Sequence, residues 1–211
     1  MSEAAEATEI RDRPEHWPVV SSAEIADGKL VRVRRDAVRM PGGEVAEREV
    51  VEHPGAVAVL ALDGSGQVLM IRQYRHPVGR LLWEIPAGLR DKPGEPLLVV
   101  GKRELLEETG YRAADWLVLA DVFSSPGFST ERIRIFLART ISRVPDQERE
   151  YVPEHEEAHL VVAWVPLEQA LAAVLAGDLH NAVAAMGILS AYAARQDNGF
   201  TALRCADAPE C

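Results

Sequence analysis

The stretch GLRDKPGEPLLVVGKRELLEETGY, Gly88 to Tyr111, decides how this chain is read. Glu104 and Glu108 stand four residues apart and Glu104 and Glu107 three, so a helix presents all three carboxylates on one face. Like charges at those spacings cost roughly 0.2–0.5 kcal/mol per pair. They also crowd toward the helix end, because Gly110 reads as a C-cap and the dipole there disfavours anions. Leu97, Leu98, Val99, Leu105 and Leu106 supply an apolar side, which predicts a helix over Glu95–Thr109. Such a cluster is either a solvated face or the seat of a cation. Hard divalent ions take carboxylate oxygens, so Glu104, Glu107 and Glu108 are candidate metal ligands. Arg103 can pair with Glu107 or Glu104 and hold them in orientation.

Composition narrows the surroundings. With 33 acidic against 23 basic residues the net charge is −10, which argues against nucleic acid and anionic membranes as partners. A phosphate-bearing substrate remains open if metal ions neutralise the local charge. Hydrophobic residues at 47% suffice for a real core in 211 residues. The two cysteines, Cys205 and Cys211, lie near the end of the sequence, so a disulfide framework is not expected and a reducing cytoplasm is. The acid-rich opening MSEAAEATEIRDRPEH is unlike a signal peptide, and the apolar run Ala182–Leu189 is too short to span a bilayer.

Outward from the decisive stretch, strand and helix patterns alternate. KLVRVRRDAVRMPGGEVAEREVVEH predicts two strands around Pro41-Gly42-Gly43, with Leu30, Val31 and Val33 apolar in the first. GAVAVLALDGSGQVLMIRQYRH predicts a hairpin turning at Asp63–Gly66, and LLWEIPAG a short strand before a glycine loop. Further strands are expected at Trp116–Phe123, Ile133–Ala138 and His159–Val165, and helices at Leu167–Ala176 and Asn181–Ala194. The polar loop SRVPDQEREYVPEHEEA is long enough to suspect function. The expected organisation is an arm over 1–17, an N-terminal β extension over 18–53, a catalytic α+β domain over 54–195 and a polar tail over 196–211.

Gly88, Glu95, Arg103, Glu104, Leu105, Glu107, Glu108, Gly110 and Tyr111 together resemble the signature box of the Nudix hydrolases. Six residues separate Gly88 from Glu95 where the usual box has five; the extra one precedes the helix and leaves its register intact. The resemblance implies a Nudix-type α/β/α sandwich with a mixed sheet. It also implies hydrolysis of a nucleoside diphosphate derivative with Mg²⁺, Mn²⁺ being an alternative, and adds the Ala87 carbonyl to the metal ligands.

Over residues 28–195 the chain is similar to the ADP-ribose pyrophosphatase branch of that family. Pro126 in SSPGFSTE lies sixteen residues after Gly110, near the proline marker of those enzymes, and REVVEH and QYRHPVGRLLWEIPAGL read like their counterparts. The resemblance makes Glu157 in PEHEEAHL the expected base or extra metal ligand, with Glu156 a close competitor, Glu154 a weaker one, and His155 and His159 also able to act. Arg75 and Arg48 are candidate phosphate contacts because a guanidinium binds phosphate bidentately, with Glu52 and Glu131 as ribose acceptors. Trp83 is assigned to the core. A homodimer is expected, its N-terminal extensions packing across partners. Alternatives are another nucleoside diphosphate sugar or a dinucleoside polyphosphate as substrate, or a non-catalytic module that senses ADP-ribose.

Overall fold

The computed structural model describes residues 10–148 and 160–210. Two compact units meet in sequence between Val51 and Glu52. The first holds a three-stranded sheet of β1 (Val19–Asp27), β2 (Arg32–Arg39) and β3 (Val45–Glu52), in that order. The two strands expected there are β2 and β3. The first begins at Arg32, so Leu30 and Val31 precede it rather than lie in it. β1 was not expected, and all nine of its residues are exposed, so it carries no alternation of buried and exposed positions. Tertiary pairing creates it: Glu24 lies opposite Arg34 and Asp27 opposite Arg32.

The second unit is organised around β4 (Ala56–Ala61), a run with both faces covered. Val57, Val59 and Ala61 join the clusters that contain Val100 and Leu105, whereas Ala58, Leu60 and Leu62 join the cluster that contains Ala184, Ile188 and Ala191. The first set belongs to α1 (Leu97–Thr109) and the second to α3 (Ala182–Asn198), so helices cover opposite faces of one sheet. α2 (Leu167–Ala176) adds Leu167 and Ala170 to the α3 side. Both close approaches run through glycine: a Cβ on Gly101 would stand 3.2 Å from Val57, and one on Gly187 3.2 Å from Ile85. The result is the expected α/β/α sandwich with α+β character.

Its five-stranded sheet has the order β11 (Arg204–Cys205), β8 (Tyr111–Phe123), β9 (Arg132–Arg143), β4, β7 (Ala87–Leu89). β4 runs parallel to β9 and antiparallel to β7, so the sheet is mixed. A second sheet pairs β10 (Val161–Pro166), β5 (Gln67–Arg75) and β6 (Arg80–Glu84). The hairpin expected across Asp63–Gly66 is corrected here. Its arms share one bridge, Leu62 with Val68, and then part into the two sheets. The turn is as expected; β4 separates from β5 because it is buried between β7 and β9. Among the described residues no helix is long and apolar enough to cross a membrane.

Candidate active site

α1 carries the acidic face and has little of its own to hold it. No side chain caps its start, and no basic residue offsets the dipole in its last turn. Gly110 closes it with φ 75°, its N–H donating to the Leu106 carbonyl at 2.8 Å. Burial of Val100 and Leu105 against the sheet therefore supplies the stability that the carboxylates remove.

That packing sets the carboxylates over β7, the edge strand beside β4. Glu104 rests on Gly88: a Cβ there would stand 2.0 Å from the carboxyl carbon. Glu108 reaches the preceding residue, where the Ala87 N–H donates to its Oε2 at 3.0 Å. One helix turn thus delivers two carboxylates to two successive residues of the PAG segment.

Arg103 gathers the rest. Its Nη1 donates to Glu104 at 2.6 Å and to Glu107 at 3.2 Å, and its Nη2 to Glu95 at 3.4 Å, with Asp91 at 3.9 Å. Burial by itself would lower the guanidinium pKa; Glu104, Glu95 and Glu107 outweigh it and raise the value above its ordinary level. Among the described residues no three His, Cys, Asp or Glu side chains are grouped as for a metal ion; Arg103 bridges Glu95, Glu104 and Glu107. The donor set is all oxygen, and the Gly88 cradle is filled by a carboxylate, so the residues suit a hard divalent ion.

Residues 52–186 match the NUDIX domain. The chain belongs to the Nudix family. Residues 17–51 match the nucleoside diphosphate sugar hydrolase N-terminal domain. An ADP-ribose pyrophosphatase of Mycobacterium tuberculosis is 45% identical over 177 residues, 84% of this chain and 84% of its own. One from Bacillus subtilis is 38% identical over 169 residues, 80% of this chain and 89% of its own. A crystal structure of an ADP compounds hydrolase superposes with a TM-score of 0.73, covering 90% of this chain and 99% of its own at 19% identity; that likeness concerns the fold. This chain is accordingly a Nudix hydrolase, and that family is generally dependent on divalent metal.

Around the Nudix box, the other sequence candidates are spread unevenly. Arg75 turns its Nε and Nη2 onto Glu84 at 2.9 and 2.6 Å, and Gln73 donates to the same carboxylate at 3.2 Å. Glu84 is 2% exposed, so Arg75 neutralises a buried charge whatever else it contacts. Glu131 accepts from Ser124 at 2.5 Å and lies 3.5 Å from His53 Nδ1, on the loop that carries Pro126. The same His53 Nδ1 accepts from the Gly55 N–H at 3.1 Å. Arg48 lies on β3 in the first unit and donates to the Glu47 carbonyl; Glu52 ends that strand. Trp83 packs against the larger core cluster with Arg72 over its ring at 5.3 Å. Glu154, His155, Glu156, Glu157 and His159 lie outside the described residues.

Sequence reasoning missed Glu84, Ser124 and His53. For Glu84 a signal existed: a lone carboxylate in the apolar run LLWEIP, close in sequence to the arginine of QYR. The Ser124–Glu131–His53 grouping had none, since His53 and Glu131 are far apart in sequence and meet only through the fold.

Proposed function

We propose that this Nudix hydrolase cleaves the pyrophosphate bond of ADP-ribose to AMP and ribose 5-phosphate. The observation that carries the chemistry is the delivery of Glu104 and Glu108 to Gly88 and Ala87. The substrate follows from the two ADP-ribose pyrophosphatases to which the chain is similar over most of its length. Glu104, Glu108, Glu107 and the Ala87 carbonyl would hold Mg²⁺, or Mn²⁺ in its place. Bound there, such an ion would supply charge neutralisation for the diphosphate and acidify the attacking water. Arg103 orients Glu104 and Glu107 and screens their mutual repulsion by pairing with both. Glu157, or Glu156 beside it, takes the water's proton. Arg75 and Arg48 contact phosphates, and Glu52 and Glu131 the ribose hydroxyls.

The working form is a homodimer in the cytoplasm. Val19, Val20, Ile25 and Val45 are about half exposed, apolar side chains that a second copy could cover. The match of residues 17–51 to a domain of nucleoside diphosphate sugar hydrolases also favours a second reading, another sugar in place of ribose 5-phosphate. A non-catalytic sensor is disfavoured because every box carboxylate is present.

The test is a panel of nucleoside diphosphate derivatives incubated with Mg²⁺, with products resolved by chromatography. ADP-ribose should give AMP and ribose 5-phosphate faster than any other member. Hydrolysis of a different sugar nucleotide with ADP-ribose left intact overturns the substrate; an intact panel overturns the activity. Glu108→Gln should lower turnover by about a hundredfold or more with the fold retained.

A further inference from the structure

The segment after α3 is bound into the domain. Its strand β11 extends the sheet, Arg204 opposite Val118 and Cys205 opposite Leu117. Ala206 and Ala208 pack on the cluster of Val57, Val100, Val118 and Phe136, beside Leu97 and Leu98 of α1. Beneath them Arg134 is 3% exposed. Its Nε and Nη2 donate to Asp121 at 2.7 and 2.8 Å, and Arg204 donates to the same carboxylate at 2.9 Å. Arg134 also donates to two carbonyls of the segment, from Nη1 to Ala208 at 2.6 Å and from Nη2 to Pro209 at 2.9 Å. A buried guanidinium needs acceptors for all of its donors, and this segment supplies two.

The next residue reaches the Nudix box. Glu210 pairs with Arg90 at 3.2 Å and with Arg132 at 3.4 Å. Arg90 opens the loop from β7 to α1, and its own N–H donates to the Gly55 carbonyl at 3.1 Å. The same loop carries Asp91 and Glu95, which face Arg103. The contacts therefore run from the tail to Arg90, through the loop to Arg103, and on to Glu104 and Glu107. The NUDIX match ends at residue 186, so the segment lies beyond the matched domain.

We propose that Arg204–Glu210 is a positioning strap for the Nudix-box loop, in which Glu210 anchors Arg90 and so holds Arg103 and Glu104 ready for a divalent ion. The inference rests on the metal-binding role assigned to those carboxylates under the proposed function. Arg134 fixes the strap to the sheet, and Glu210 transmits its position. Residues that orient metal ligands from outside the ligand shell tune a site's affinity for its ion.

The experiment compares the full chain with Glu210→Gln, Glu210→Asp and the control Glu168→Gln, which breaks an exposed pair with Arg195 on the helices that cover the other face of the sheet from α1. Amide hydrogen exchange over residues 90–96 is followed without metal or substrate, and Mn²⁺ binding is measured by electron paramagnetic resonance. In Glu210→Gln, exchange over 90–96 should quicken about tenfold, and Mn²⁺ binding should weaken about fivefold, below the effect expected of a direct partner to a ligand. Turnover at saturating metal should stay within about twofold of the parent. Glu210→Asp should fall between, and the control should match the parent. Unchanged exchange over 90–96 overturns the strap, whatever turnover does. Faster exchange in Glu210→Gln, alongside a parent that leaves ADP-ribose intact, supports the strap and sinks the substrate assignment instead. Faster exchange with unaltered Mn²⁺ binding overturns the link from the strap to the carboxylates.

Discussion

Glu104 occupies the place where a side chain on Gly88 would be. A Cβ there would come within 2.0 Å of its carboxyl carbon and Oε1 and 2.4 Å of its Cγ, so strand and carboxylate share one space. Gly88→Ala should therefore displace the Glu104 side chain, which is flexible, rather than the backbone. Turnover should fall by about a hundredfold, as for a catalytic group moved by an ångström. The thermal midpoint should change little, which calorimetry can check. Near-parental turnover in this variant contradicts a role for Glu104 at that spot.

Arg75 and Glu84 should behave as a coupled pair. Arg75→Met leaves a buried carboxylate to which Gln73 still donates, and should cost about 2–3 kcal/mol in urea unfolding. Adding Glu84→Met should recover most of that loss. With stability restored, the double variant isolates the phosphate role: KM for ADP-ribose should still rise if Arg75 contacts the substrate. A parental KM removes Arg75 from the binding site.

Asp63 makes the turn between β4 and β5 pH-sensitive. Burial pushes its carboxyl up, but N–H groups of Gln67 and Ser65 and the Ser65 hydroxyl outweigh burial and hold it below its ordinary value. A lowered folded-state pKa stabilises the protein above the unfolded pKa, and that stability is lost as pH falls through the folded one. Asp63→Asn should thus cost about 1 kcal/mol at pH 7. The gap from the parent should close on acidification below about pH 4. Denaturant titrations across that range decide it, and a constant gap refutes the charge-based account.

The base is tested by Glu157→Gln and Glu156→Gln. Glu157→Gln should lower kcat far more than it raises KM and should alter the acid limb of the pH–rate profile. A larger effect from Glu156→Gln reverses the assignment within the pair. Full activity in both places the proton's exit elsewhere.

Assembly is tested at β1. Ile25→Glu puts a charge in place of a half-exposed apolar side chain of β1 and should shift sedimentation from dimer to monomer at micromolar concentration. A fully active parental monomer under the same conditions contradicts the dimer.

Local sequence determined what local physics controls. The bounds of α2 over Leu167–Ala176 and the stop of α1 at Gly110 follow from periodicity and capping within a few residues. The register of Glu104, Glu107 and Glu108 is a property of any helix, so the acidic face was legible before the fold was known. Only the tertiary structure decided what that face meets, because Gly88 and Ala87 come under it through the pairing of β7 with β4 and the packing of α1 on the sheet. The same holds for the parting of β4 from β5, since a turn signal specifies a reversal and not the strands that each arm joins. It holds most strongly for Arg134 and its two carbonyl acceptors, 74 and 75 residues away. Nothing in the polarity of Arg204–Glu210 marks it as bound; a buried charge on another strand, in need of acceptors, binds it.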